Sequence, residues 1–308
     1  MLGRMRVKTL IILGSLVVGL PVVAAAQSSS RRSQDTLKFQ LGQPHKVPPF
    51  PLVLNAAVRS YVDSYLEHSE GLKLSYARSA PYLAQMTEML RQYGVPADLV
   101  YLAFAESSFS KGGAGPWQLT KATARQLGLQ VNGFVDERRD PLMSTRAAAE
   151  YLAKLHDEVG DWRLTVVAWN TGENLLSHFV ADRGEDFDQL LNRLPGRTRA
   201  LLNRFMAVAF ISKNAKEYGI DDIVYTQPTP YARINVPGGT LLSAVAEETH
   251  SELFELKHLN PAILTDRVPP GGYSLMLPLD AKPGRTDWDQ VGSVDRSSDL
   301  LKLGTFDR

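Results

Sequence analysis

Between about residues 51 and 225 the apolar residues recur at helical spacing, and no stretch alternates as a half-buried strand would. That property restricts this part of the chain to a packing of helices. In the segment 144–159, for example, Ala148, Tyr151, Leu152, Leu155 and Val159 fall on one face. Helices are expected from Asn55, a good N-cap, over about 80–93 ending at Gly94, and from Pro96 to Glu106. Others are expected over 123–127, from a Ser144 cap to about 159, and from an Asp161 cap to just before Gly172. The last three cover about 173–181, 185–193 and 198–218.

The pattern changes after the turn-rich QPTP at 227–230. YARINV and GGYSLMLPL read as short strands, with TLLSAVAEE and ELFELKHL as helices between them. The fold class expected is therefore mainly α. A helical domain covers 51–226, and a small α+β module of β-α-α-β order covers 231–280. Ahead of them, Arg4, Arg6 and Lys8 precede an apolar stretch, a helix-breaking Pro21 and alanines at 24–26, as in a signal peptide over 1–26. Residues 27–50 read as a flexible, proline-bearing stem, and 281–308 as a polar tail. A cleaved signal would deliver the chain to the periplasm of a Gram-negative cell. An uncleaved one would leave it anchored to the membrane.

Composition removes several classes of function. A net charge of +1 gives no reason to expect nucleic acid as a partner. The absence of cysteine excludes disulfides, thiol catalysis, thiolate metal sites and a lipid attached through an N-terminal cysteine. His45, His68, His156, His178, His250 and His258 have no metal-like spacing, so neither metal nor cofactor is expected. There is no G-x-S-x-G elbow. The GGAG at 112–115 lacks a following GK[ST] and a preceding strand, and reads as a tight turn or a backbone open to a ligand.

One residue stands out against this background. In LVYLAFAESSFS (99–110) an apolar helix runs straight into Glu106. One turn back lie Leu102 and Ala103, and desolvation on that side raises a carboxyl pKa. A glutamic acid kept protonated near neutral pH can protonate a leaving oxygen. The plainer reading is a solvated or capping glutamate. Glycosidases commonly use a second carboxylate, and the next acid in the chain is Asp136. A lone acid/base suits a glycan that supplies its own nucleophiles, an acetamido oxygen and a hydroxyl.

ESSF, GAGPWQLTKATARQLGL, VDERRDPLMSTRAAAEYLAKL, DWRLTVVAWNTGE and LPGRTRALL resemble, in that order, the motifs of soluble-lytic-transglycosylase (SLT) domains. The resemblance covers about 55–225 and is closest to the membrane-bound lytic murein transglycosylase D type. It implies a lysozyme-like α-domain with a glycan groove. It implies cleavage of the β-1,4 bond between N-acetylmuramic acid and N-acetylglucosamine, leaving 1,6-anhydromuramoyl ends, and so peptidoglycan glycan strands as partner. Glu106 matches the single catalytic acid/base. Ser107 matches the motif serine that binds substrate or steadies charge. Trp117 and Gln118 match a WQ pair facing the sugar, and Asn170 matches a substrate-contacting asparagine. The chain departs from the pattern at Trp169, which takes a substrate-binding position where tyrosine is usual, and at Arg197 and Leu201, which replace an acid and a tyrosine. The C-terminal module resembles LysM, a glycan-binding fold, with Gly239 in place of the usual Asp. Two rivals remain. One is a lysozyme-type hydrolase on the same fold, using Asp140 or Glu173 as second carboxylate. The other is a peptidoglycan-binding protein whose site has decayed. Partner enzymes are not legible in the sequence.

Overall fold

The structure is a computed structural model describing residues 47–110, 112–172, 187–220 and 231–278. The chain divides into two compact units, Met1–Gly42 and Gln43–Arg308. Every described residue belongs to the second. The expected signal peptide, most of the stem, the helix at 173–181, Glu173, His45, His178 and the tail 281–308 lie outside the described residues.

The described residues are mainly helical, with a small two-stranded sheet. The helices are α1 (Ala56–Glu67), α2 (Ser69–Gln92), α3 (Val100–Ser107), α4 (Lys121–Gln126), α5 (Pro141–Val159), α6 (Trp162–Thr171), α7 (Phe187–Arg193) and α8 (Gly196–Lys213). Then follow β1 (Tyr231–Val236), α9 (Leu242–Glu248), α10 (Leu253–Leu259) and β2 (Tyr273–Pro278). Short 3-10 turns at Ala97–Leu99 and Glu137–Arg139 lead into α3 and α5.

Caps decide where these helices begin. Asn55 accepts from the Val58 amide at 2.9 Å, and Asp161 accepts from Arg163 and Leu164. Two expected helix starts move by several residues, and the helix expected to reach 218 ends at Lys213. α5 starts at Pro141, not after Ser144. The Asp140 carboxylate caps it by accepting from the amides of Leu142 and Met143, both at 2.9 Å. Pro141, lacking an N–H, suits the first helical position. Ser144 is inside the helix, its hydroxyl donating to the Asp140 carbonyl. The helix expected from about residue 80 begins at Ser69 and carries Pro81 in its interior. Proline removes one amide and costs about 3 kcal/mol in an isolated helix, a cost that packing of α2 against α5 outweighs here.

α8 is the centre of the helical body. Leu201, Leu202, Phe205, Met206, Val208 and Ile211 are all buried, so the helix is apolar on nearly every side and packs on α1, α3 and α6. Phe50, placed at the end of the stem by composition, belongs to this core. Its ring meets Phe205 edge-on at 4.8 Å, and its amide donates to Asp98. Lys213 completes that anchor with an ion pair to Asp98 at 2.7 Å.

The C-terminal module keeps the expected β-α-α-β order. β1 and β2 pair antiparallel along their full length, Tyr231 opposite Pro278 and Val236 opposite Tyr273. Buried Asn260 ends α10 and exchanges hydrogen bonds with the backbone of Met276 at 2.8 Å, locking helix to strand. The module is docked on the segment that enters α5. The Asp136 amide donates to the Ala262 carbonyl, Leu264 donates to Phe134, and the Tyr273 hydroxyl donates to Glu137 at 3.0 Å.

Candidate active site

α3 delivers Glu106 to the edge of the core. Leu102, Ala103, Phe104 and Ala105 are buried, whereas Glu106 is partly open. Burial lifts its pKa above the ordinary glutamate value. A hydrogen bond from Trp169 and the charge of Arg204 offset part of that rise. The Trp169 Nε1–H donates to Glu106 Oε1 at 2.9 Å. With Oε1 engaged as acceptor, Oε2 is the atom left to carry and give up a proton.

The turn after Glu106 is held in an unusual shape. Ser108 (φ 52°), Phe109 (φ 51°) and Gln118 (φ 48°) all adopt left-handed conformations without being glycine. Local bonds hold them there. The Ser107 hydroxyl donates to the Ala103 carbonyl and accepts from the Phe109 amide at 3.0 Å. Phe109 is buried against Phe104. Arg78 donates to the Ser108 carbonyl at 2.9 Å. The Gln118 amide donates to the Gly115 carbonyl at 2.6 Å. Gly115 itself (φ 76°) lies so close to the next segment that a Cβ would sit 1.7 Å from the Arg138 carbonyl oxygen. Arg138 makes that segment rigid with a paired bond to Asp136 and a third to the Leu119 carbonyl. A buried pair of this kind costs about 3–5 kcal/mol to break from one side.

The structure therefore sorts the residues singled out from sequence. Glu106 and Trp169 meet directly. Asn170 is beside Trp169 on α6, its Oδ1 accepting from buried Thr198 at 2.7 Å. Among the described residues its amide nitrogen has no hydrogen bond. Trp117 requires a correction: it is 1% exposed and cannot offer a face to a sugar. Its Nε1–H is spent on Thr145 at 2.8 Å, and its ring supports Trp169 edge-on at 5.8 Å. Ser107 and Gln118 brace the loop with their polar atoms. Asp140 is buried and caps α5, so it is not a free second carboxylate. Leu201 is core and Arg197 is exposed. Among the described residues no group of three or more His, Asp or Glu could hold a metal ion.

Sequence reasoning missed Arg204. It is on α8 amid apolar residues, its charge acts on Glu106, and its buried Nε has no hydrogen-bond partner among the described residues. A lone cation inside LLNRFMAVAF was the available signal.

Replacing Trp169 by Phe tests the Trp169–Glu106 bond. Loss of the donor removes stabilisation from the carboxylate, so the Glu106 pKa rises further. In a pH profile of kcat/KM the basic limb moves to higher pH. A profile that stays in place would show the bond has no influence on the acid.

Residues 85–191 match the family described as the transglycosylase SLT domain. Two further likenesses extend the picture. Over 219 residues, 68% of this chain and 48% of the relative, it is 28% identical to the membrane-bound lytic murein transglycosylase D of Escherichia coli (strain K12). Over 94 residues, 28% of this chain and 7% of the relative, it is 40% identical to the peptidoglycan transglycosylase gp16 of Escherichia phage T7. The chain spans about half the length of the first of these.

Proposed function

We propose that this chain is a peptidoglycan lytic transglycosylase acting through Glu106 alone. The observation that carries the reading is a single half-buried glutamate whose pKa is raised by burial and whose Oε1 is held by an indole N–H. Glu106 Oε2 would protonate the glycosidic oxygen as the bond from muramic C1 breaks. The acetamido oxygen of the same sugar steadies the developing charge. The carboxylate then takes the proton from the C6 hydroxyl as that oxygen closes on C1. Proton and bond count balance without water, and Glu106 ends protonated. The Asn170 amide, Ser107 and Gln118 would face the bound strand, with Trp117 acting from behind through Trp169.

The lysozyme alternative lacks support at Asp140, which is committed to its helix. The β-α-α-β module would be a LysM-like glycan contact. Gly239 there has φ 82°, a conformation that disfavours the usual Asp. The Escherichia coli relative is named as a membrane-bound murein transglycosylase, and an envelope location reached by export through residues 1–26 would suit such a substrate. No described helix is long and apolar enough to cross a membrane.

Digestion of purified peptidoglycan followed by mass spectrometry tests the reading. Anhydromuramoyl products, one water lighter than hydrolysis products, are expected. Reducing ends would make the chain a hydrolase, and absence of products would leave a binding protein.

A further inference from the structure

A groove of about 680 Å³ opens beside the loop that follows Glu106, between α2 and α10. One wall comes from α2 with Leu74 and Arg78, and the other from α10 with Phe254 and Lys257. Its lining holds Arg78, Arg139, Lys257 and His258, and no carboxylate among the described residues. Arg139 is exposed and has no ion pair among the described residues. Arg78 donates one Nη to the Ser108 carbonyl, but its buried Nε has no partner there. Lys257 is held at the rim by Asp266, which does not line the groove. Two apolar side chains stand open to solvent, Phe254 at 78% and Leu74 at 56% exposure. Phe254 stacks on His258. A groove lined by cationic side chains and exposed apolar walls is built for an anion with small apolar parts.

The chemistry of the proposed substrate narrows the occupant. The glycan of peptidoglycan is neutral, because the lactyl carboxyl of muramic acid is amidated. Its negative charge is carried by free carboxylates on the attached peptides, which also bear alanine methyl groups. We propose that this groove binds the carboxylate-bearing peptide of the strand whose glycan lies at Glu106. The inference rests on the reading of the chain as a peptidoglycan enzyme. The groove adjoins the loop that follows the acid in the chain: Phe109 and Ser110 line it, and Arg78 fixes the carbonyl of Ser108, two residues beyond Glu106. Both modules contribute walls, which gives the docking of the C-terminal module a role in substrate selection.

The test uses the full chain and a synthetic stem peptide with free carboxylates, followed by NMR titration. Binding is expected at resonances of α2 and α10. It should weaken about tenfold in the Arg139→Glu, Lys257→Glu double variant, where both altered side chains are exposed. A several-fold loss is expected in Phe254→Ala. A neutral chitooligosaccharide should not displace the peptide. Displacement by that sugar, equal affinity for polyglutamate, or unchanged binding in the double variant would each overturn the proposal.

Cleavage assays separate this from the enzymatic reading. The double variant should lose about tenfold in kcat/KM on peptide-bearing strands and nothing on strands stripped of peptide by an amidase. Equal losses on both would overturn the groove. A wild-type chain that cleaves neither substrate would overturn the enzymatic reading alone, leaving the peptide titration to decide the groove.

Discussion

With Glu106 replaced by Gln, cleavage of peptidoglycan falls by about a thousandfold or more, the upper part of the range for a general acid. The effect is large because in the proposed mechanism one group serves both proton transfers. The amide keeps the size of the side chain, and its oxygen can still accept from Trp169. Fold and glycan binding should therefore survive, and circular dichroism and strand binding would check both. Near wild-type turnover in this variant would remove Glu106 from the mechanism.

The same variant carries a stability signature. The Glu106 pKa is raised in the folded state, so the native protein holds a proton that the unfolded chain releases. Between the unfolded and folded values the native state binds more protons, and stability falls as pH rises through that window. The contribution is fully present below the unfolded value and is lost above the folded one. Gln does not ionise. Glu106→Gln should thus raise Tm relative to wild type at pH 8 and make little difference at pH 4. Equal shifts at both would mean that burial does not tax the carboxylate. A stabilising substitution that abolishes activity is the expected mark of a site where function, not stability, chose the residue.

The second large effect is on the fold. Gly115→Ala should cost on the order of 4 kcal/mol or more, a large share of the stability of an ordinary domain. Two penalties combine: the position has φ 76°, and the new Cβ would lie 1.7 Å from a backbone oxygen of Arg138. That oxygen cannot swing aside, because Arg138 is tied to Asp136 and Leu119. Gly112→Ala is the control, since a Cβ there meets nothing within 4 Å and φ is ordinary. Its change should stay within about 0.5 kcal/mol. Urea denaturation of the two variants compares them, and similar midpoints would refute the close approach. The loop thus packs against the segment that carries the C-terminal module, which links the two parts of the described chain.

Much of this was legible beforehand. Helical periodicity, capping residues and the run into Glu106 depend on neighbours within a turn or two, and local physics decides them. The Asp140–Pro141 start of α5 was also readable, since proline at a first helical position outranks a serine three residues on. Burial of a particular side chain is different. Trp117 and Trp169 both fall within the motif segments, yet one is sealed in the core and the other touches the acid. Only the crossing of α6 with the loop after α3 separates them. Arg204 depends likewise on which turn of α8 meets Glu106. The acid and its apolar approach were written in the sequence. Its indole partner, its neighbouring cation and the groove beside it arise from contacts between segments tens of residues apart, which no local pattern encodes.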